Sequence, residues 1–328
     1  MSEDKVTDSN LSIAPSPHVA NSSFTTRRMM SDVAIGLLPI MAVAFCVFGW
    51  RAWYQLGICA ASCLAAELLF TRMRGRSATI GDLSALITGL ILGLSLPAMA
   101  PWYVGVIGGF AAIGFGKVVF GGLGHNIFNP AMVGRAFVMI AFPAALGASA
   151  YVDSASAVDA ITKATPLTVL QQEGFVTPLM SLLIGNTNGS LGETSAIAIL
   201  IGGLFIVLRR TASWEIPTAA VVAYAALALI GGMFGMQSDW TVLHSLTSGA
   251  FLFGAFFIAT DPVTTPLTHT GKFIYGAGFA LIVVLLRSMS GYPEGVMFAI
   301  LLMNALAPLI NNWTIPTPFG GTVPERKR

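Results

Sequence analysis

The sequence predicts an all-α polytopic membrane protein with about ten transmembrane helices. Apolar residues make up 55% of the 328 residues and charged residues only 10%, whereas soluble domains contain about 25% charged residues. The mean hydropathy is +0.77, and long apolar runs follow one another along the chain, many of them approaching the roughly 20 residues that a helix needs to cross a bilayer. The net charge of +2 is too small to indicate a nucleic-acid partner, so the expected surroundings are lipid.

Ten apolar runs account for the expected helices, and the positive charges between them predict their orientation. Lys and Arg in short loops favour the cytoplasm, and here they gather before the first run, after the second, fourth and sixth runs, and at the C-terminus. We therefore expect a multi-pass protein of the bacterial inner membrane with both termini in the cytoplasm. The runs cover residues 31–50, 52–70, 83–100, 102–120, 131–149, 194–208, 214–235, 243–260, 272–289 and 293–311.

This arrangement divides the chain into five parts. Two membrane halves of five helices each, residues 31–149 and 194–311, flank a polar loop at 150–193. The charge pattern predicts that this loop lies on the periplasmic side. Residues 1–30 and 312–328 form the cytoplasmic tails.

Two polar, turn-rich segments interrupt the apolar pattern, one in each half. Residues 121–130 contain three glycines, and residues 260–266 contain two prolines. Corresponding interruptions in two halves indicate an internal repeat with a site at the interface of the halves. An odd number of helices per half would make the repeats inverted. The alternative is that both segments are ordinary cytoplasmic loops.

The segment from Asp159 to Thr165 carries the most specific motif. Its spacing, Asp-x-x-Thr-x-Ala-Thr, places Asp159, Thr162, Ala164 and Thr165 as in the signal by which bacterial flavin transferases attach FMN to a threonine through a phosphoester. Pro166 biases Thr165 towards an extended backbone that a modifying enzyme could hold. The alternative is a helix cap, because Thr before Pro is a common helix start.

Four acids are candidates for an ion path: Glu67, Asp82, Asp261 and Glu294. They lie within apolar runs or at their ends. Ionisable groups inside a membrane are costly and therefore indicate function by default. Structural hydrogen bonds to neighbouring helices are the alternative.

Two cysteines, Cys59 and Cys63, share one helix face with Glu67. Two thiolates could form half of an iron–sulfur or zinc site. The alternative is packing, since a free Cys behaves as a small hydrophobic residue. We predict neither a catalytic side chain nor a metal site in this chain.

Several long stretches, in the same order along the chain, carry a family resemblance. The sequence from about residue 16 to residue 320 resembles the D subunits of Rnf complexes and, more distantly, the B subunits of sodium-pumping NADH:quinone oxidoreductases. The matching stretches are residues 16–18, 28–33, 121–137, 164–167, 259–264 and 291–296.

The resemblance implies two flavins. The family attaches FMN covalently at the threonine that falls on Thr165, and the position usually taken by Gly or Ser is Lys163 here, where a lysine could act as a counter-charge to the phosphate. The related quinone-reducing subunit also binds riboflavin without a covalent bond, at a region similar to Asn126 and Asn129. Asparagine amides suit the donor and acceptor edge of a flavin. Both asparagines could instead cap the helix that begins near Pro130.

The resemblance also implies a function and partners. The expected protein relays electrons between ferredoxin and NAD in a complex that moves Na⁺ or H⁺. Its partners would be membrane and cytoplasmic iron–sulfur and flavin subunits and a periplasmic FMN subunit. This chain has no Gly-x-Gly-x-x-Gly dinucleotide fingerprint and no ferredoxin-type series of cysteines, so we expect no NAD-linked turnover from this subunit alone.

A small-solute channel or transporter without redox chemistry is the alternative function. The family resembles urea-type channels in its 5+5 inverted arrangement, and a fold does not fix a function. A channel would not need the segment around Thr165, so covalent flavin is the property that separates the two hypotheses.

Overall fold

The computed structural model describes residues 25–75, 80–146, 165–173, 176–233, 241–289 and 294–316, and helices dominate these ranges. The first half contains α1 (Thr26–Phe48), α2 (Trp50–Met73), α3 (Ser84–Leu94), α4 (Trp102–Ile113) and α5 (Pro130–Ala141). A π-helical turn, Gly114–Val118, continues α4. Two short helices follow, α6 (Pro166–Glu173) and α7 (Leu179–Ile184).

The second half contains α8 (Ala196–Leu208), α9 (Glu215–Met233), α10 (Val242–Thr247), α11 (Phe251–Phe253), α12 (His269–Met289) and α13 (Val296–Thr314). Another π-helical turn, Gly254–Ile258, continues α11. Each π-helical turn therefore leads directly into one of the two polar segments that interrupt the apolar pattern, as is common near functional sites.

Within the described residues, four helices are long and apolar enough to cross a membrane: α1, α2, α12 and α13. Five shorter apolar helices lie at residues 84–94, 102–118, 130–141, 196–208 and 215–230. The predicted class, an all-α multi-pass membrane protein, is confirmed. The count of ten spans and the inverted repeat stay predictions.

Three predicted spans are broken or shorter in the structure. The run 83–100 is helical only as far as Leu94, because Pro97 and Pro101 follow. The run 131–149 leaves the α-helix at Phe142, before Pro143. The run 243–260 is split at Ser248 and Gly249, where Gly249 has a φ of +66°.

Glycines bring α2, α3 and α4 into close contact. A Cβ on Gly89 of α3 would lie 2.6 Å from the Ala60 Cα, and one on Gly105 of α4 would lie 3.1 Å from the Cys59 Sγ. Cys59 and Cys63 are fully buried in this packing. Small residues let helix backbones approach closely in membranes, so the arrangement agrees with the packing alternative for these cysteines.

Contacts between the halves hold the bundle together. Helix α1 packs on α8 and α5 packs on α13. Where α1 meets the end of α8, Asp32 accepts hydrogen bonds from Arg209 at 3.2 Å and from Thr211 at 2.9 Å. The two halves therefore share one interface rather than forming separate bundles.

Part of the predicted polar loop is also packed into this bundle. Backbone hydrogen bonds join the Leu191 N–H to the Leu96 carbonyl at 3.2 Å and the Gly192 N–H to the Leu94 carbonyl at 2.7 Å. Ser190 and Thr194 are buried. This segment therefore closes the end of α3 instead of extending into solvent.

Candidate functional site

A cleft of about 770 Å³, part of it open to the outside, lies where the two halves meet. Its wall includes the start of α1, the start of α3, the π-helical turn at Lys117 and both interrupting segments. Residues of both irregular segments therefore line this one cleft.

The glycine-rich segment needs its glycines to turn along this wall. Gly121, Gly122 and Gly124 have φ values of +126°, +112° and +88°, which side chains with a Cβ rarely adopt. The turn returns the chain from α4 to the start of α5 and places Asn126 and Asn129 on the cleft.

Asn129 is a structural junction. Its Oδ1 accepts hydrogen bonds from the N–H groups of Ala131 at 3.1 Å and Met132 at 3.3 Å, so it caps α5. Its own N–H donates to the Asn304 Oδ1 at 3.0 Å, and its Nδ2 donates to the Asp261 Oδ2 at 3.4 Å. The helix-cap alternative is thus what the geometry of Asn129 supports.

Asn126 differs from Asn129. Its Nδ2 donates to the Phe128 carbonyl at 3.2 Å, but its buried Oδ1 has no hydrogen-bond partner within the described ranges. Such an orphaned acceptor is costly unless a ligand or water satisfies it. Because Asn126 lines the cleft, it is the asparagine that fits a flavin donor group.

A buried ion pair borders the same cleft. The Lys117 Nζ lies 2.6 and 2.7 Å from the two carboxylate oxygens of Glu67 and 2.6 Å from the Ser84 Oγ. The Ser84 Oγ in turn donates to the Asp82 Oδ1 at 2.6 Å. Two of the predicted acids, Glu67 and Asp82, are therefore linked through Lys117 and Ser84. Lys117, which the charge pattern counted as a loop residue, is 2% exposed.

Asp261 lies on the opposite wall. It accepts hydrogen bonds from the Val263 N–H at 3.1 Å and from Thr264 and Asn129 at 3.4 Å each. These neutral donors shape the turn after the π-helical segment. Asp261 has no salt-bridge partner in the described part of the chain, so it is an uncompensated acid on the cleft.

Thr165 lies at a different place, in a small pocket of about 270 Å³. Its Oγ1 is 2.9 Å from the Thr168 Oγ1 and accepts from the Thr168 N–H at 3.4 Å. This geometry is that of a cap on α6. Asp159, Thr162, Lys163 and Ala164 lie outside the described residues.

Glu294 borders this second pocket. Its carboxylate accepts from the Ala250 N–H at 3.1 Å and from the Arg287 Nη2 at 3.4 Å. Arg287 also donates to the Tyr224 hydroxyl at 2.8 Å. Glu193 lines the same pocket.

One helix connects these two sites. Helix α13 begins beside Glu294 in the Thr165 pocket, and its Asn304 reaches the Asn129 backbone at the cleft. Ten residues of α-helix rise about 15 Å, so the two sites are separated by roughly that distance along α13.

Sequence reasoning missed three residues of these sites: Lys117, Asn304 and Glu193. Lys117 is a charged residue within an apolar run, and this pattern indicates a lysine that is paired with a buried partner. Asn304 has a similar signal inside α13. The position of Glu193 in a predicted loop gave no signal of burial, although it is 8% exposed.

Comparisons with known proteins agree on one family. Residues 12–320 match the NQR2, RnfD, RnfE family. The chain is 38% identical to the D subunit of the Na⁺-translocating ferredoxin:NAD⁺ oxidoreductase complex of Acetobacterium woodii, over 95% of this chain and 96% of the relative. It is also 38% identical to the D subunit of the proton-translocating ferredoxin:NAD⁺ oxidoreductase complex of Clostridium ljungdahlii, over 98% of this chain and 99% of the relative.

A third relative gives a match of the same kind. The D subunit of the ion-translocating oxidoreductase complex of Stutzerimonas stutzeri is 38% identical, over 89% of this chain and 92% of its own length. The resemblance predicted from the sequence stretches is therefore confirmed. A match this long and this even along the polypeptide places the chain in the NQR2, RnfD, RnfE family.

Proposed function

We propose that this chain is the flavin-carrying membrane subunit of an ion-translocating complex that moves electrons between ferredoxin and NAD. The observation that carries this proposal is the match to D subunits over nearly the whole chain. The segment from Ala164 to Leu167 supports it as one of the sequence stretches on which the family resemblance rests. Other subunits of such a complex are its partners. They supply the ferredoxin and NAD sites for which this sequence has no motif.

FMN attached to Thr165 is the central part of this proposal. The threonine is partly buried at the start of α6, where helix N–H groups favour a phosphate. A phosphoester would replace only the hydroxyl proton, so oxygen acceptors for the Thr168 N–H and hydroxyl would remain. When bound, FMN supplies a redox group that accepts one or two electrons; the protein supplies its position.

A non-covalent flavin in the cleft is the second part of the proposal. The apolar lining of the cleft, the orphaned Asn126 Oδ1 and the Lys117 ammonium on its wall suit a ligand with both apolar faces and polar edges. Asn126 would orient the ring edge by hydrogen bonding. Riboflavin is the ligand class that the family resemblance implies.

The test of covalent attachment is in-gel fluorescence of the denatured protein, expressed with the flavin transferase. Wild-type protein should give a fluorescent band, and Thr165→Ala should lose it completely because the phosphoester has no acceptor oxygen. Thr168→Ala is the matched control: it removes the neighbouring hydroxyl and should keep the band. A fluorescent Thr165→Ala band, or a dark wild-type band, would refute the attachment.

Ion coupling is the third part, and it assigns Glu67 and Asp261 to the path. The relatives include both a sodium-translocating and a proton-translocating complex at the same identity, so likeness does not select the ion. We expect Glu67→Gln and Asp261→Asn each to lower ion uptake into vesicles several-fold per electron transferred, with the fluorescent band retained. Glu215→Gln, which changes a buried glutamate away from the cleft lining, is the control.

Measuring uptake of ²²Na⁺ and of protons in the same vesicles identifies the ion. If turnover requires Na⁺, and if ²²Na⁺ uptake accompanies turnover, the translocated ion is sodium. Uptake unchanged in both acid variants would remove these two residues from the path.

A further inference from the structure

Two glutamates meet in the Thr165 pocket. Glu193 and Glu294 both line it, and their carboxyl groups lie in hydrogen-bonding contact. Glu193 is 8% exposed. Two ionised carboxylates in contact at a buried site repel each other strongly, so one of them is expected to hold a proton.

The neighbouring groups decide which carboxyl is charged. Glu294 accepts from the Ala250 N–H at 3.1 Å and from the Arg287 guanidinium at 3.4 Å. Both contacts favour its ionised form. Because Arg287 is held by the Tyr224 hydroxyl and by the Ser245 carbonyl as well, this positive charge is fixed beside Glu294.

Glu193 has a different environment. Its Oε1 accepts from the Ser190 N–H, but its buried Oε2 meets no hydrogen-bond donor in the ranges that the structure describes. Arg135 is a nearby cation, but neither an ion pair nor a hydrogen bond joins it to Glu193 in the described part of the chain. A proton shared between Glu193 and Glu294 would supply the donor that two ionised carboxylates lack.

The surrounding loop has further unmet polar capacity. The Ser190 Oγ and the Thr194 Oγ1 are also buried without partners within the described ranges. Hydroxyl groups can both donate and accept. Both residues lie within three positions of Glu193 along the chain, so the segment that carries this glutamate has buried hydroxyls able to donate or to accept.

We propose that Glu193 and Glu294 form a proton-holding site that shares a single proton, with Glu193 as the protonated member and Glu294 as the carboxylate fixed by Arg287. This site lies beside Thr165 at the N-terminal end of α13, whereas the cleft is reached by Asn304 in the middle of that helix. It does not rest on bound flavin, because every group in it belongs to this chain.

Infrared spectroscopy of the purified full-length protein in detergent tests the site. At neutral pH the difference between wild type and Glu193→Gln should contain the carbonyl band of one protonated carboxyl group, which shifts in D₂O. Glu294→Gln should remove the same band, since a single remaining carboxyl can ionise against Arg287. Obtaining the same loss from two variants keeps the test valid if one of them fails to fold.

Glu215→Gln is the matched control, because Glu215 is also buried but pairs with His269. It should leave the band in place. A band that survives in both Glu193→Gln and Glu294→Gln overturns the proposal. So does a wild-type band that disappears when choline chloride is replaced by NaCl at equal ionic strength, because the pair would then bind a metal cation instead of a proton.

Discussion

Asn126 and Asn129 are three residues apart on one cleft wall, yet their side chains have different tasks. The side-chain oxygen, the side-chain amide and the backbone N–H of Asn129 are engaged with α5, Asp261 and α13. The Asn126 Oδ1 has no partner in the described part of the protein. Under the proposed function, Asn126 would bind the ligand, whereas the contacts of Asn129 stabilise the fold.

We expect Asn126→Ala to lower the non-covalent flavin content of the purified complex while leaving its melting temperature nearly unchanged. Asn129→Ala should instead destabilise the protein by about 0.5–2 kcal/mol, the usual cost of a lost helix cap, with further loss from the contact to Asp261. Acid-released flavin and thermal unfolding in detergent measure the two effects. Full flavin content in Asn126→Ala would remove the second flavin from the proposed function.

The residues that sequence reasoning could locate are those with a local signal. Asn129 before Pro130 is a helix start that neighbouring residues determine, and the cap forms as that pattern predicts. The partner of Glu67 is 50 positions away at Lys117, and the partner of Asn129 is 175 positions away at Asn304. Such pairs depend on how helices pack, which no spacing along the chain encodes.

At the scale of elements, the close approach of α3 to α2 brings Ser84 near Glu67, so that Lys117 contacts both. Gly89 of α3 faces the α2 backbone, with the Ala60 Cα at 2.6 Å and the Cys59 carbonyl oxygen at 2.7 Å from the place of an added Cβ. Backbone atoms cannot move aside as a flexible side chain can. Any Cβ here must push α3 away from α2.

We therefore expect Gly89→Ala to destabilise the protein by about 1–3 kcal/mol, the range typical of overpacking. The matched control is Gly57→Ala on α2, where an added Cβ meets nothing within 4 Å. That change should be neutral or stabilising by up to about 1 kcal/mol, because Ala is the better helix former. Thermal unfolding measures both, and equal melting temperatures would contradict the close packing of α2 and α3.

The helix boundaries also show which features of the fold the sequence patterns can predict. Hydropathy alone extended the third span to residue 100, but two prolines after Leu94 end the helix. The π-helical turns at Gly114–Val118 and Gly254–Ile258 have no comparable signal. They arise where an apolar helix must lead into a polar segment inside the bundle, and that requirement comes from the tertiary structure.

At the scale of the whole molecule, the Thr165 pocket lies at the N-terminal end of α13, and the cleft lies near Asn304 in the middle of that helix. The cleft wall includes Met29 and Met30, so it lies at the N-terminal end of α1. The Thr165 pocket includes Glu294, ahead of the first turn of α13. If the proposed flavins occupy both places, electrons must cross much of the membrane within this protein.

Sidedness is therefore the property on which the electron path depends, and labelling of single cysteines measures it. In a background carrying Cys46→Ser, the remaining Cys59 and Cys63 are fully buried. Ser156→Cys, in the loop that carries Thr165, should react with a membrane-impermeant maleimide in intact spheroplasts. Ser9→Cys and Thr322→Cys, in the two tails, should react only after the membrane is opened, because the positive charges near the tails favour the cytoplasm. Labelling of Ser156→Cys on the same side as either tail would mean that the half between the loop and that tail crosses the membrane an even number of times, in place of the predicted five. It would also place both flavins on one face of the membrane.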